Sequence, residues 1–276
     1  MTDQPLYYVN DGLATLGPEV IRIRSLLEAH FLSWAGECNA DEMLFPSLVP
    51  VRKLDKFDYF RNFPHLALIA TRIRSENLTD FARPQVNRAI SSVNLSDGDY
   101  VLPSAACYYV FIHLQNTTLE ESRCITTIAN CFRNETEYNG LQRLRGFGMR
   151  EIVCIGPAEA VQSQLMALKE RIQRFVEEIG LSLEIKFGID PFYEPYCSRA
   201  LMQKLFPVKE EFVYDAEVSI ASINFHRNFF GERCQIRMVN GDVAFSGCVA
   251  FGIERWLNAL LDHFGGDTEA IIKALL

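Results

Sequence analysis

The 276-residue sequence lacks the signals of secreted, membrane-spanning and nucleic-acid-coating proteins. Its N-terminus, MTDQPLYYVNDGLATLG, has neither the basic segment nor the apolar core of a signal peptide. No apolar run approaches the ~18 residues of a transmembrane helix. There is no long basic run, and 27 basic against 35 acidic residues give a net charge of −8, which argues against general nucleic-acid binding. We therefore expect a cytoplasmic protein without membrane contact.

Cysteine pairs with the spacing of zinc fingers or redox motifs are also missing. The eight cysteines, at positions 38, 107, 124, 131, 154, 197, 234 and 248, form no CxxC pair. In a chain without a secretion signal we expect reduced thiols, most of them small buried hydrophobic residues. Internal repeats and low-complexity linkers are absent as well. The 49% apolar and 22% charged residues are typical of a folded protein with a substantial core.

Hydrophobic periodicity indicates how the chain is organised. Apolar residues at helical spacing predict three long helices, at 18–35, 158–179 and 251–266. Residues 43–51, MLFPSLVPV, predict an edge strand or extended segment, and VNGD at 239–242 predicts an Asn-Gly turn. Further strands are predicted at 65–73, 107–115, 150–157, 183–188, 216–222, 233–239 and 242–247. Strands come in runs instead of alternating with helices, which predicts an α+β domain with an antiparallel sheet flanked by helices.

The stretch ANCFRNETE, residues 129–137, gives the first indication of chemistry. Arg133 presents a planar guanidinium whose donors suit a phosphate group. A polar loop leads to RLRGFGMRE at 143–151, where Arg143 could reach another phosphate and Phe147 could stack on a purine. This reading predicts strand, loop and strand, with arginines facing inward from both sides. A solvated surface hairpin with ordinary salt bridges would explain the same residues.

A third segment, SGCVAFGIERW at 246–256, predicts a strand, a turn and a helix that carries Arg255 near its start. FRNE at 132–135, RLRGF at 143–147 with Glu151, and AFGIER at 250–255 together resemble motifs 2 and 3 of class II aminoacyl-tRNA synthetases. Ala250 departs from the family, which often has glycine there. Pro46 in MLFPSLV resembles the motif 1 proline at the dimer interface. The resemblance implies a class II synthetase-like fold and a homodimer.

Within this class the chain is most similar to seryl-tRNA synthetase catalytic cores. VLPSAAC at 101–107 resembles the segment where ordinary seryl enzymes carry a Thr-x-Glu substrate loop. Ser104 stands at the Thr position and Ala106 at the Glu position, so the anion that would hold the substrate ammonium is missing. The atypical seryl enzymes instead bind the amino group through zinc held by two Cys and one Glu. The resemblance places these ligands at Cys107, Glu151 and Cys248, a set that leaves Zn²⁺ one open position.

The resemblance also implies an ATP site. Arg133 would hold the α-phosphate and carboxylate region, while Arg143 and Arg255 would bind the γ-phosphate end of ATP. Glu135 would face the adenine amino group, and Glu217 would hold Mg²⁺ between the phosphates. Catalysis needs no base, because the substrate carboxylate is already the nucleophile and the protein only positions groups and neutralises charge.

The same resemblance implies a small amino acid as substrate. Ser222 and Asn224 lie where the family lines the amino acid pocket, together with Ser104 and Ala106. The small side chains at 104–106 and 221–222 favour glycine or alanine, with serine third.

The resemblance covers roughly residues 40–265, and about 40 residues precede it without heptads or basic character. We therefore expect a single catalytic domain over 1–276, without a tRNA-binding domain, and regard tRNA as a disfavoured acceptor. In length and missing domain the chain is similar to the amino acid:carrier protein ligases, truncated relatives of the zinc-dependent seryl core. Those enzymes pass a small activated amino acid to the phosphopantetheine thiol of a carrier protein.

Residues 190–211, DPFYEPYCSRALMQKLFPVKEE, form an aromatic, proline-bounded insertion. Arg199, Lys204 and Lys209 could meet an acidic carrier helix there. A surface helix that patches the core would explain the insertion equally well. Two other functions stay open: a free-standing seryl-like enzyme that charges tRNA, and an inactive synthetase-like regulatory module.

Overall fold

The computed structural model of the chain describes residues 5–84, 86–215 and 218–276. The strands are β1 (Tyr7–Asn10), β2 (Leu13–Leu16), β3 (Asp41–Glu42), β4 (Val49–Pro50), β5 (Leu68–Ala70), β6 (Tyr100–Leu102), β7 (Thr118–Leu119), β8 (Arg123–Phe132), β9 (Gly146–Gly156), β10 (Glu184–Phe187), β11 (Lys209–Tyr214), β12 (Val218–Arg227), β13 (Arg237–Met238) and β14 (Phe245–Gly252). The α-helices are α1 (Pro18–Glu37), α2 (Val51–Leu54), α3 (Tyr59–Asn62), α4 (Leu78–Phe81), α5 (Tyr108–His113), α6 (Ala158–Glu178), α7 (Ser198–Leu205), α8 (Phe229–Cys234), α9 (Ile253–His263) and α10 (Thr268–Leu275).

Nine of the strands form one sheet in the order β1-β2-β9-β14-β12-β11-β10, with β8 also paired to β9 and β3 paired to β8. The long neighbours β8, β9, β14, β12 and β11 are all antiparallel, whereas β2–β9 and β3–β8 are short parallel contacts. The sheet is therefore mostly antiparallel and flanked by helices, which confirms the predicted α+β architecture. A smaller sheet has the order β4-β6-β5.

Alternation along β9 and β14 separates two faces of the large sheet. Ile152 and Val249 pack in the larger core, which includes buried residues of α1, α6, α9 and α10. Val153 and Cys248 pack in the second core, which includes buried residues of α5 and α8. Glu151 lies two residues before Val153 and so shares the side of Val153 and Cys248. Glu151 and Cys248, two of the predicted metal ligands, thus face away from the layer of long helices.

The three predicted long helices are confirmed as α1, α6 and α9. Helix α6 ends in a Schellman motif, where Leu181 N–H donates to the Val176 carbonyl at 2.8 Å and Gly180 N–H donates to the Glu177 carbonyl at 3.1 Å. Gly180 has a φ of +73°, which glycine adopts at little cost. Phe31 of α1 stacks on Phe251 of β14 with ring centroids 4.1 Å apart, so this helix layer is fixed to the sheet.

The strand prediction at 107–115 is wrong, because these residues form helix α5. Leu114 N–H donates to the Val110 carbonyl at 3.1 Å, and Val110, Phe111 and Leu114 are buried. Residues spaced i, i+1 and i+4 share one face of a helix. The aromatic and β-branched composition of the segment favoured a strand instead and obscured this pattern. Helix α5 matters for the site because Cys107 is its N-cap residue.

Other short strand predictions hold only in part. The 233–239 segment consists of the end of α8 followed by β13, and 65–73 contributes only β5 after a 3₁₀ turn at Pro64–Leu66. In 43–51 only β4 pairs, as an edge strand of the small sheet. The strand predicted at 242–247 begins at Phe245 and runs on to Gly252, and part of 216–222 lies outside the described residues. The Asn-Gly turn is present, with Met238 N–H donating to the Asp242 carbonyl at 2.9 Å.

None of the helices in the described ranges has the length and apolar character needed to cross a bilayer.

Candidate active site

The predicted strand, loop and strand around CFRNE are confirmed as β8 and β9. Cys131 pairs with Phe147 and Phe132 with Gly146 at the open end of this hairpin. Arg133 follows directly, and its N–H donates to the Arg145 carbonyl at 2.9 Å. Its guanidinium carbon lies 5.1 Å from the centroid of the Phe147 ring. The cation and the aromatic face are therefore held side by side at the end of the sheet.

Arg255 meets this pair from the first turn of α9. Its Nε donates to the Gln142 carbonyl at 2.8 Å, and its Nη1 donates to the Ser219 carbonyl at 2.9 Å. Burial, followed by repulsion from Arg133, lowers the pKa of Arg255 to about 10, so the group remains cationic at neutral pH. Like charges held together inside a cleft are relieved by an anion, which a polyphosphate provides.

Five of the six residues predicted for ATP line one cleft: Arg133, Glu135, Arg143, Phe147 and Arg255. Glu217, the predicted Mg²⁺ ligand, lies outside the described residues. The sequence analysis did not identify Glu254, whose carboxylate lies in the same cleft and accepts the Gly148 N–H at 2.7 Å. Burial raises the pKa of that carboxyl group.

The three predicted metal ligands, far apart in sequence, come together in the fold. Cys107 is contributed by the start of α5, Glu151 by β9 and Cys248 by β14. One ligand atom from each lies within 4.8 Å of the others, and all three residues are buried. Strand pairing explains part of this proximity, because Glu151 opposes Ala250, two residues from Cys248 on the same face.

The donor atoms of this cluster fit a bound cation. Glu151 Oε1 accepts the N–H groups of Ala106 at 2.8 Å and Cys107 at 3.1 Å, which leaves the second carboxylate oxygen for a metal. The hydrogen-bonding contact with Cys248 and burial raise the pKa of Cys107 well above its usual range. Without a cation, the deprotonated form of two buried thiols beside a carboxylate is unfavourable. With Zn²⁺ bound, the same three groups are a suitable ligand set.

The residues predicted to bind the amino acid surround this cluster. Asn224 Nδ2 lies 3.1 Å from Ser222 Oγ and 3.6 Å from Cys248 Sγ. The Ser104 carbonyl accepts the guanidinium of Arg133, with Nε at 3.4 Å and Nη2 at 3.3 Å. Ala106 contributes its backbone N–H to Glu151. The metal cluster and the arginine cleft are therefore linked through Ser104 and Arg133.

A cavity of about 520 Å³ extends from Cys107, Glu151 and Cys248 toward the insertion at 190–211. Sequence analysis missed most of its aromatic wall, which includes Phe57, Tyr59, Tyr108, Phe192, Phe206 and Phe230. Part of that wall comes from 107–115, where a strand was predicted, and part from segments without a motif. This mostly apolar space is larger than glycine or alanine requires.

His226 is a second residue that the sequence analysis missed. Its Nδ1 lies 3.2 Å from Ser246 Oγ and its Nε2 lies 3.5 Å from Cys248 Sγ. Burial lowers the pKa of this imidazole to about 4, so the ring is neutral at physiological pH. Its position two residues after Asn224 on β12 was the available signal, since alternate residues of a strand share a face.

The three predicted carrier-docking residues have different surroundings. Arg199 lies 3.3 Å from Asp58 Oδ2 and stacks on Phe229 with 4.3 Å between guanidinium carbon and ring centroid. Lys204 is exposed, with Nζ 5.6 Å from the ring of Tyr196. Lys209 lines the wall of the cavity and pairs with Asp190 and Glu211 at 3.3 and 3.0 Å. Among the three, Lys204 is the residue on the outer surface.

Comparisons with known proteins confirm the class II synthetase-like fold. The family model described as "tRNA synthetase class II core domain (G, H, P, S and T)" matches residues 96–264, more than half of the chain. Amino acid–acyl-carrier-protein ligase 1 of Bradyrhizobium diazoefficiens is 29% identical over 270 residues, which cover 91% of this chain and 78% of that protein. Ligase 2 of the same organism is 29% identical over 247 residues, or 84% and 72% of the two chains.

Archaeal seryl enzymes are similar over a shorter part of their length. The type-2 serine–tRNA ligase of Methanopyrus kandleri is 25% identical over 254 residues, which cover 82% of this chain and 48% of that protein. A crystal structure of M. kandleri SerRS in complex with A. aeolicus tRNASec superposes with a TM-score of 0.83 at 21% identity, over 97% of this chain and 57% of that one. This chain therefore spans about half the length of the seryl relatives.

Proposed function

Because this chain belongs to the class II tRNA synthetase core family, we propose that it is an amino acid–carrier protein ligase. It joins a small amino acid to AMP at the expense of ATP and then passes the aminoacyl group to the phosphopantetheine thiol of a carrier protein. One observation carries this proposal: the arginine cleft of Arg133 and Arg255 opens beside the buried cluster of Cys107, Glu151 and Cys248. We infer a carrier protein as the acceptor of the aminoacyl group because two of the relatives are named amino acid–acyl-carrier-protein ligases.

In the first step a carboxylate oxygen of the amino acid attacks the α-phosphorus of ATP, and the bond to pyrophosphate breaks. Arg133 holds the α-phosphate and the carboxylate, where charge accumulates in the transition state. Arg143 and Arg255 bind the γ-phosphate end, and Phe147 stacks on the adenine, whose amino group faces Glu135. Glu217 is assigned as the residue that would hold Mg²⁺, which would supply positive charge to the phosphates. The protein holds the reacting groups in line and neutralises charge, without a general base.

The substrate amino group is assigned to the cluster of Cys107, Glu151 and Cys248, which would hold a zinc ion. When bound, that ion supplies a Lewis acid for a neutral amine. Ser222 and Asn224 flank the same position on β12. Ser104 and the backbone of Ala106 lie in the connection between β6 and α5, so the amino acid is held between this connection, β12 and the cluster.

In the second step the carrier thiol attacks the acyl carbon, the bond to the adenylate oxygen breaks, and AMP leaves as the thiol gives up its proton. The apolar cavity that leads from the cluster toward 190–211 suits the pantetheine arm. The net charge of −8 gives the chain little attraction for the phosphates of tRNA. The tRNA-charging alternative rests on the type-2 seryl relatives, and an inactive module is disfavoured by the intact arginine and metal sets.

We also propose a homodimer that pairs through the region of Pro46 and the small sheet. Large apolar side chains are exposed there, among them Leu44 at 83% near Pro46 and Ile69 of β5 at 48%. Exposed apolar surface of this kind is expected to be covered by a partner when it forms a patch. This is the region that the motif 1 resemblance assigns to the dimer contact.

Exchange of labelled pyrophosphate into ATP, measured with each of the twenty amino acids, tests the activation step. Glycine and alanine are expected to support the fastest exchange, followed by serine. Each added methylene is expected to lower kcat/KM by about 10-fold or more, since one methylene is worth ~1–3 kcal/mol in a small pocket. Absence of exchange with glycine, alanine and serine would remove the proposal.

Lys204→Glu tests the assignment of the insertion as the carrier docking surface. We expect this change to raise the KM for an acidic carrier roughly 5- to 10-fold, because a like charge then faces the carrier helix. Lys204 suits the test better than Arg199, which fixes the insertion to Asp58 and Phe229. Transfer of labelled amino acid to the carrier gives the KM. Lys273→Glu, on exposed surface of α10, is the matched control, and an unchanged KM for Lys204→Glu would place docking elsewhere.

A further inference from the structure

The two thiols of the metal cluster have unequal surroundings. Cys248 Sγ has two side-chain nitrogen neighbours from β12, Asn224 Nδ2 at 3.6 Å and His226 Nε2 at 3.5 Å. In the described part of the chain, Cys107 Sγ has hydrogen-bonding contacts only with the other two ligands. One sulfur therefore lies against a polar strand and the other does not.

Strand pairing creates this difference. Asn224 is the partner of Cys248 in the β12–β14 register, and His226 follows two residues later, next to a register shift between Phe225 and Arg227. Both side chains are therefore directed to the cluster by backbone geometry. They lie on a strand of the large sheet and not on a loop, which keeps their positions relative to the sulfur fixed.

The imidazole of His226 is held on its remaining sides as well. Ser246 Oγ lies 3.2 Å from Nδ1. The rings of Phe111 and Phe230 contact the imidazole edge-on, with centroids 5.7 and 5.0 Å away. A ring that is packed in this way has one orientation, so only its tautomer is left to be decided.

If Cys248 binds a metal as a thiolate, its sulfur has no proton to donate to His226. This determines the tautomer of the imidazole. The contact between Nε2 and Cys248 Sγ is then a hydrogen bond only if Nε2 carries the proton. Nδ1 is left as an acceptor, and the Ser246 hydroxyl donates to it. Ser246, His226 and Cys248 thus form a chain of donors that ends on the sulfur.

We propose that His226 and Asn224 are positioning residues that donate hydrogen bonds to the Cys248 thiolate and reduce its negative charge. This inference rests on the proposed metal centre. Two thiolates and a carboxylate give Zn²⁺ a net charge of −1 in their site, which weakens its attraction for an amine. Hydrogen bonds to Cys248 and the two backbone N–H groups that donate to Glu151 Oε1 partly offset this excess negative charge. Cys107, which lacks such donors among the residues that the structure describes, is then the ligand that gives most electron density to the metal.

His226→Leu in the full-length protein removes the ring donor and tests this role. We expect zinc to bind about 10- to 100-fold more weakly, as is typical when an outer partner of a metal ligand is lost. In protein loaded with Co²⁺, the thiolate-to-cobalt charge-transfer band is expected to move to longer wavelength, because the sulfur lone pairs are no longer stabilised. His226→Gln, which places an amide N–H near the position of Nε2, is expected to restore both values to within about threefold of wild type.

Ser246→Ala is the second variant, and it decides the question should His226→Leu fail to fold. It keeps the ring but removes the donor to Nδ1, so zinc affinity is expected to fall about 3- to 10-fold and the cobalt band to shift in the same direction. Unchanged zinc affinity and an unchanged cobalt band in the folded variants would overturn the inference. Zinc affinity is measured by chelator competition without ATP. A protein that binds zinc as expected but shows no pyrophosphate exchange would contradict the proposed function and leave this inference intact.

Discussion

Cys107→Ala is expected to lose bound zinc and to lower amino-acid-dependent pyrophosphate exchange on the order of 1000-fold. A metal contact to a reacting substrate is worth several kcal/mol, and each 1.4 kcal/mol is a factor of ten in rate. Cys107 is one of two sulfurs in the cluster, and the remaining Glu151 and Cys248 cannot complete a three-ligand site. Metal content of the purified protein and kcat/KM for glycine are the two measurements.

Cys131→Ala is the matched control for this change. Cys131 is also a buried thiol, and it packs against Ala106 and Met149 close to the cluster without belonging to it. We expect the control to keep about one equivalent of zinc and to exchange within about threefold of wild type, since it removes only packing. Zinc retained at wild-type level in Cys107→Ala would show that the metal is bound elsewhere.

Arg133→Ala is expected to lower kcat for pyrophosphate exchange about 100- to 1000-fold, the usual effect of removing one donor from developing negative charge. The side chain also shapes the site, because it joins the Ser104 carbonyl to the face of Phe147. Arg133→Lys keeps the charge but loses the planar fork, so we expect it to recover little of the activity. Exchange kinetics at saturating amino acid, with ATP varied, separate kcat from KM.

Arg123→Ala is the control for Arg133, because both residues belong to the same hairpin. Arg123 begins β8 at the far end and pairs with Asp41 at 3.0 Å on the surface. An exposed ion pair of this kind contributes little to stability, and we expect near-normal exchange. Equal activity of Arg133→Ala and Arg123→Ala would remove Arg133 from the proposed phosphate site.

The long elements of the fold were predictable because each has a strong local signal. Helix α6 has an apolar stripe and is followed by Gly180, and the two long strands of the hairpin beside Arg133 contain several β-branched residues. The failure at 107–115 has a physical cause, since a six-residue helix such as α5 is stabilised by its buried contacts with the sheet and not by propensity. Short buried segments of this kind give no reliable periodicity.

The site was predictable only where a motif extends along the chain. Arg133, Phe147 and Arg255 belong to motifs that can be read locally, and the structure brings them to one cleft. The grouping of Cys107, Glu151 and Cys248 came from the family resemblance alone, since strand order decides which segments meet. His226 and the aromatic wall around Tyr59 belong to no motif, and only the register of β12 against β14 shows that His226 reaches Cys248.

Lys209 is a residue whose surroundings could not be predicted from the sequence. By sequence it belongs to an aromatic, proline-bounded insertion, together with Arg199 and Lys204. In the fold it begins β11, where its ammonium lies between Asp190 and Glu211 on the cavity wall. Three basic residues that sequence analysis grouped together therefore lie in different surroundings, because Lys209 is part of a strand and Lys204 lies on an exposed helix.

Transfer of the activated amino acid to competing acceptors tests the central claim most directly. Wild-type protein is incubated with ATP, labelled glycine or alanine, a phosphopantetheinylated carrier protein, the same carrier without its prosthetic group, and bulk tRNA. We predict label on the phosphopantetheinylated carrier through a bond that hydroxylamine cleaves, and none on the unmodified carrier or on tRNA. Label on tRNA, with none on the modified carrier, would contradict the account and favour a free-standing tRNA-charging enzyme.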